Sequence, residues 1–142
     1  MPEQQMKDQI RSYLTQNRDA IIGDIADLCR IPSERAEAKP HAPFGEACAQ
    51  AVKAAADKAA LMGFDATVYE DEGYALPYSG EGDKTIGIFG HCVVVPAGTG
   101  WTLTQPYEPR VIYGTLVVRC GADNKNGLVC GLWALKANCD LD

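Results

Sequence analysis

The chain has little of what several protein classes require. Histidine occurs only at positions 41 and 91. Lysine and arginine number 13 against 19 aspartates and glutamates, a net charge of −6 with no basic cluster. Binding to a phosphate backbone needs concentrated positive charge, so nucleic acid is not an expected partner. No apolar run approaches the ~20 residues of a membrane-spanning helix, so no membrane association is expected. The opening Met1-Pro2-Glu3-Gln4-Gln5 is too polar for a secretory signal, which makes the cytoplasm the expected compartment. Six cysteines are present, but the closest two, Cys130 and Cys139, are nine positions apart. Without a C-x-x-C pair, a zinc ribbon or thioredoxin-like motif is unsupported. Without an export signal the thiols are expected to be reduced. No glutamate follows Glu108, and nowhere are two glutamates adjacent.

What is present is the composition of a globular protein. Hydrophobic residues make up 46% and charged residues 23% of 142 positions, which argues against disorder and fits one domain spanning residues 1–142. Ile10, Leu14, Ile21, Ile25 and Leu28 form one stripe of an amphipathic helix, or of a closely joined pair. Ile31-Pro32-Ser33 ends it, because the residue before proline disfavours helical geometry. A second helix is expected from about Gly45 to Met62, with Cys48, Val52, Ala55, Ala59 and Met62 as its buried seam and Gly63 as its terminating residue. Thr67-Val68-Tyr69 and Tyr74–Tyr78 read as short strands, the second at an edge because of Pro77. Thr85-Ile86-Gly87-Ile88-Phe89 has the apolar, β-branched character of a strand buried on both faces. Val93-Val94-Val95 continues extended, Leu116–Arg119 is a further strand, and Leu128, Leu132 and Leu135 mark one face of a closing helix. The expected architecture is α/β: two N-terminal helices, a mixed sheet and a closing helix.

Of the two histidines, His41 lies in a proline-flanked loop and reads as an ordinary polar residue. His91 follows the expected buried strand at its C-terminal end, where ligands of α/β sheets gather. Asp123 stands at a strand-to-helix junction, where it can equally be a helix N-cap. The order of the segments around both residues is informative. Gly90-His91-Cys92-Val93-Val94-Val95-Pro96-Ala97-Gly98, then Trp101, then Pro106-Tyr107-Glu108-Pro109, then Arg119-Cys120-Gly121-Ala122-Asp123-Asn124-Lys125 resembles the co-catalytic zinc peptidases and deacylases. That family includes β-Ala-Xaa dipeptidases, acetylornithine deacetylase and succinyl-diaminopimelate desuccinylase, and the dipeptidase branch is nearest. Its pattern reads Gly-His-x-Asp-Val-Val-Pro, then a loop with tryptophan, then Gly-Arg-Gly-x-x-Asp-Asp/Asn-Lys-Gly.

The resemblance implies two zinc ions, with His91 a ligand to one and Asp123 a carboxylate bridging both. It also implies peptide or N-acyl amino acid substrates. Two such cations clamp a water and a scissile carbonyl, lowering the water's pKa and stabilising the oxyanion. The pattern also breaks. The acid two residues after the histidine is Val93, and the glycines beside Arg119 are Val118 and Cys120. The glycine after the lysine is Asn126. Strain is expected wherever such a glycine served close backbone approach or positive φ. Cys120 can be read as a replacement thiolate ligand, though this needs a new site geometry. The Glu-Glu pair that supplies the family's general base does not occur. No catalytic residue is therefore assigned and no other cofactor is implied. The expectation is the N-terminal part of a catalytic domain without its lid and dimerisation domain, truncated or the product of a decayed gene, and inactive as this chain. The alternative is a non-catalytic, partner-binding domain. Either way apolar surface is left open, which favours self-association.

Overall fold

A computed structural model describes residues 2–141, and among these the chain forms four α-helices and two separate two-stranded antiparallel sheets. The first stripe is a joined pair. Helix α1 (Glu3–Gln16) gives way at Asn17 to α2 (Arg18–Cys29). The Tyr13 carbonyl in α1's last turn accepts from both the Asn17 backbone amide at 3.0 Å and Asn17 Nδ2 at 2.9 Å. Helix α1 buries none of its residues, whereas α2 buries Ile25, Ala26, Leu28 and Cys29.

Helix α3 (Glu46–Leu61) buries Cys48, Ala51, Ala55, Ala56 and Ala59. These small side chains let it lie closely on the hairpin of β1 (Asp65–Tyr69) and β2 (Tyr74–Tyr78). Gly63 ends α3 at φ +94°. Its amide donates to Ala60 and that of Phe64 to Ala59, the paired bonds of a Schellman cap. A second hairpin joins β3 (Arg110–Ile112) to β4 (Thr115–Val117). Tyr113 and Gly114 both take positive φ at its tip, as a two-residue turn matching strand twist requires.

Helix α4 (Asn126–Leu141) buries Val129, Leu132, Trp133 and Ala137. Asp24 on α2 connects three helices: Oδ2 accepts from Trp133 Nε1 at 2.9 Å and Oδ1 accepts from Lys58 Nζ at 2.8 Å. The main core gathers Ile25, Leu28, Cys29, Ala51, Ala55, Cys92, Val94, Cys120, Val129 and Trp133. All six cysteines are free, and four of them are buried.

The expected mixed sheet is not formed. Residues 84–91 follow an irregular path, and Ile86 and Phe89 are 88% and 95% exposed. Two close approaches tie this segment to α4. A β-carbon on Gly131 would stand 2.9 Å from Ile88, and one on Gly90 would stand 2.9 Å from the Leu128 β-carbon. A strand buried on both faces needs hydrogen-bonded neighbours for its amides and carbonyls. Among the described residues nothing pairs with 85–89, so the sequence pattern has no sheet to enter. What remains is one parallel bridge, Glu34 to Val94. The β4 ladder likewise stops at Val117 rather than reaching Arg119.

Leu28 is fully buried at the contact of α2 with the segment that precedes α4. Leu28→Ala is expected to lower unfolding free energy by about 2–5 kcal/mol, seen as a lower urea midpoint. A shift below experimental error would show that this core does not carry the fold.

Candidate metal site

Helix α2 ends at Ile31-Pro32, and the chain then lies along the segment that carries His91. The Val94 amide donates to the Ser33 carbonyl at 3.0 Å, and Ser33 Oγ donates to the Cys92 carbonyl. Cys48 Sγ donates to the same Ser33 carbonyl at 3.3 Å. Ser33 is fully buried and clamps residues 92–94 in an extended path. Beyond them, Glu34 Oε1 accepts from the Ala97 amide at 3.3 Å and from the Tyr107 hydroxyl at 2.6 Å. The Arg119 guanidinium donates to the Val95 and Pro96 carbonyls at 3.3–3.4 Å. The loop after His91 is thus held from both sides. Ser33 and Glu34 were not visible as site residues in the sequence, because each acts on a segment about sixty positions away.

His91 Nδ1 pairs with the Val93 carbonyl at 3.0 Å. With the proton on Nδ1 as donor, Nε2 carries the free lone pair. That nitrogen stands 3.9 Å from Asp123 Oδ1. The two side chains singled out from sequence, 32 positions apart, are therefore neighbours. His91 is about half exposed, and the Asp123 carboxylate is 93% exposed.

Asp123 lies in a wide, irregular turn, Gly121–Lys125, that leads into α4. Its own backbone is extended, at φ −129° and ψ 96°. Helix α4 begins three residues later, at Asn126, so the N-cap reading of Asp123 does not describe its place. A β-carbon on Gly127 would fall 2.2 Å from Asn124 Oδ1, so the lack of a side chain there is what admits Asn124 against the first turn of α4. Lys125 closes the turn. Its ammonium is fully buried and donates to the carbonyls of Leu28 at 2.7 Å and Ile31 at 2.8 Å.

The strain expected at substituted glycines falls at one of three positions. Cys120 takes φ +63°, in the left-handed region that glycine adopts freely. Asn126 is ordinary helical backbone at φ −61°. Val118 is not among the positive-φ positions. The Cys120 side chain is buried in the core with Cys29, not turned to His91 and Asp123. A hydrogen bond from the Cys29 thiol, assisted by Lys125, lowers the Cys120 thiol from its ordinary value against the effect of burial. The replacement-ligand reading of Cys120 therefore finds no support. His41 pairs with Asp71 at 3.0 Å, on a surface formed by the β1–β2 turn.

One imidazole nitrogen and one carboxylate suit zinc. A tetrahedral zinc with bonds of about 2.0–2.1 Å sets its donors roughly 3.4 Å apart, so a closure of roughly 0.5 Å would bring this pair to one ion. Among the described residues no group of three or more histidine, cysteine, aspartate or glutamate side chains is placed to hold a metal. The pair therefore fits two donors of one zinc, and falls short of a closed site or of two ions. No catalytic step is derived through it.

Comparison with known proteins places this site in context. No family model matches the chain. It is 30% identical over 128 residues to "Putative dipeptidase YtjP" of Bacillus subtilis (strain 168), an alignment covering 88% of this chain and 27% of that protein. It is 31% identical over 139 residues to a "Putative dipeptidase" of Staphylococcus aureus (strain USA300), covering 96% of this chain and 28% of that protein. The chain is thus distantly homologous to proteins bearing the dipeptidase name, and it spans little more than a quarter of their length.

Tyr107 tests the clamp around the loop. Burial, then its hydrogen bond to Glu34, then the Glu34 charge raise its phenol well above the ordinary value of 10.0. A raised folded-state value means that the neutral phenol contributes stability below about pH 10, lost as pH climbs through the folded value. Glu34→Ala is expected to bring the phenolate absorbance transition down towards pH 10 and to cost about 1–3 kcal/mol in urea unfolding. An unchanged titration in a folded variant would show that Glu34 does not hold Tyr107.

Proposed function

We propose that this chain supplies part of the metal site of a dipeptidase-like amide hydrolase, with His91 and Asp123 as zinc donors, and that the 142 residues alone do not turn over peptide. The observation that carries this reading is the 3.9 Å approach of His91 Nε2 to Asp123 Oδ1. The ordered motifs and the distant homology to dipeptidases support it. Peptides or N-acyl amino acids are the corresponding substrate class. Zinc, when bound, would polarise a carbonyl and acidify a water. The chain's own residues orient that ion. The Val93 carbonyl fixes the His91 tautomer, doing with backbone what the family's acid does with a side chain. Asp123 is itself the donor, and among the described residues no third histidine, cysteine or carboxylate is grouped with the pair to take a proton from water.

Zinc titration by calorimetry tests the donors. One weak site is expected, lost in His91→Ala and weakened about tenfold or more in Asp123→Asn. Val93→Asp is expected to tighten binding several-fold, at the low end of the roughly 10–100-fold such partners command, since a carbonyl already serves His91. Equal affinity in all four proteins would remove His91 and Asp123 from the reading. Zinc-dependent turnover of a dipeptide panel, abolished by His91→Ala, would overturn the inactivity.

A second reading has its own observation. Ile86, Phe89, Val95 and Leu103, all between residues 86 and 103, are each at least 60% exposed, apolar surface that suits association. A non-catalytic chain would use this surface to bind itself or another polypeptide. Sedimentation is expected to show concentration-dependent self-association that Ile86→Asp with Phe89→Asp abolishes; a monomeric parent at high concentration would exclude it.

A further inference from the structure

We infer that Lys125 is the positioning residue of the His91–Asp123 pair, an inference that rests on the metal reading above. The Asp123 side chain is almost entirely exposed, so its direction is set by the backbone of the Gly121–Lys125 turn. That turn is fastened at its end by one fully buried ammonium. Lys125 Nζ donates to the carbonyls of Leu28, in the last turn of α2, and Ile31, just beyond it, each of which also accepts a backbone amide. The positive charge also meets the negative end of the α2 dipole. Meanwhile the Lys125 amide donates to the Cys120 carbonyl at 3.1 Å, closing the turn on itself. Ile31 leads directly into Ser33, which clamps the segment after His91. One ammonium therefore fixes Asp123 to the same short stretch of chain that aligns His91.

A compact ammonium with three donors suits this enclosed space, and a planar guanidinium does not reproduce its geometry. Lys125→Arg keeps the charge. It is expected to fold with a urea midpoint near the parent's, to bind zinc about tenfold more weakly, and to exchange amide hydrogens faster at 120–125 than the parent. Lys125→Met, which removes the ammonium that ties the turn to both carbonyls, is expected to lose protection at 120–125 before the α3 hairpin unit does. Parental zinc affinity and parental protection at 120–125 in a folded Lys125→Arg would overturn the inference. So would a uniform loss of protection throughout the chain with unchanged zinc affinity, the mark of a purely structural lysine. If the parent chain takes up no zinc, the metal reading falls separately. The exchange data then decide on Lys125 alone, and unchanged protection at 120–125 in Lys125→Met overturns it.

Discussion

An ammonium withdrawn from water must have its hydration replaced by protein oxygens, or its charge becomes untenable. Lys125 meets that condition with two carbonyls from the end of α2 rather than with a carboxylate. The choice has consequences for the whole chain. Carbonyl partners hold the ammonium without neutralising it, and they belong to backbone that cannot be rearranged without unwinding the helix. The last turn of α2, the Ile31-Pro32-Ser33 corner and the entry to α4 are thereby locked into one unit. Around that unit the core residues Leu28, Cys29, Cys120 and Val129 collect. A buried charge adds little net stability when weighed against an apolar alternative, but removing its partners is costly. Its value here lies in specifying one arrangement.

The departures from the family pattern have unequal physical weight. Val93 removes a carboxylate, yet its own carbonyl meets His91 Nδ1 and keeps the tautomer defined. What is lost is the extra negative charge that would make the imidazole a stronger donor. Cys120 is different. It occupies left-handed backbone at φ +63°, which costs a residue with a β-carbon roughly 1–2 kcal/mol relative to the right-handed form. Its side chain is nonetheless packed in the core, so burial offsets part of that cost. Asn126 takes ordinary helical geometry, and no strain follows from it.

Periodicity made the helices legible. The alanine seam of α3, its glycine stop and the β1–β2 hairpin follow from local pattern, because their hydrogen bonds close within a few residues. His91 and Asp123 were singled out through ordered motifs, and what the structure adds is that they meet in space, 3.9 Å apart. Glu34, Ser33 and the two carbonyl partners of Lys125 were not legible. Each acts across 59 to 97 positions, and a carboxylate, a hydroxyl or a backbone oxygen has no local signature announcing such a contact. The Thr85–Phe89 strand was misread for a related reason. Its composition records an environment, a sheet with neighbours on both sides, and the pattern is silent on whether those neighbours are at hand.

That unpaired segment bears on the proposed metal site. Asp123 stands on a turn fastened by buried hydrogen bonds, whereas His91 follows an irregular stretch that approaches α4 closely at Ile88 and Gly90. Ser33 fixes the chain on the far side of His91, from Cys92 to Val94, and among the described residues no hydrogen bond to residues 85–90 does the same on the near side. Holding an irregular backbone in one path costs about 1–2 kcal/mol of conformational entropy per residue, a cost that sheet hydrogen bonds would offset and that here falls to packing on α4. The two proposed donors thus stand on unequal supports. A site built as proposed would be no more precise than the less supported of its two donors, so the path of residues 85–89 would matter to metal capture alongside the identity of either ligand.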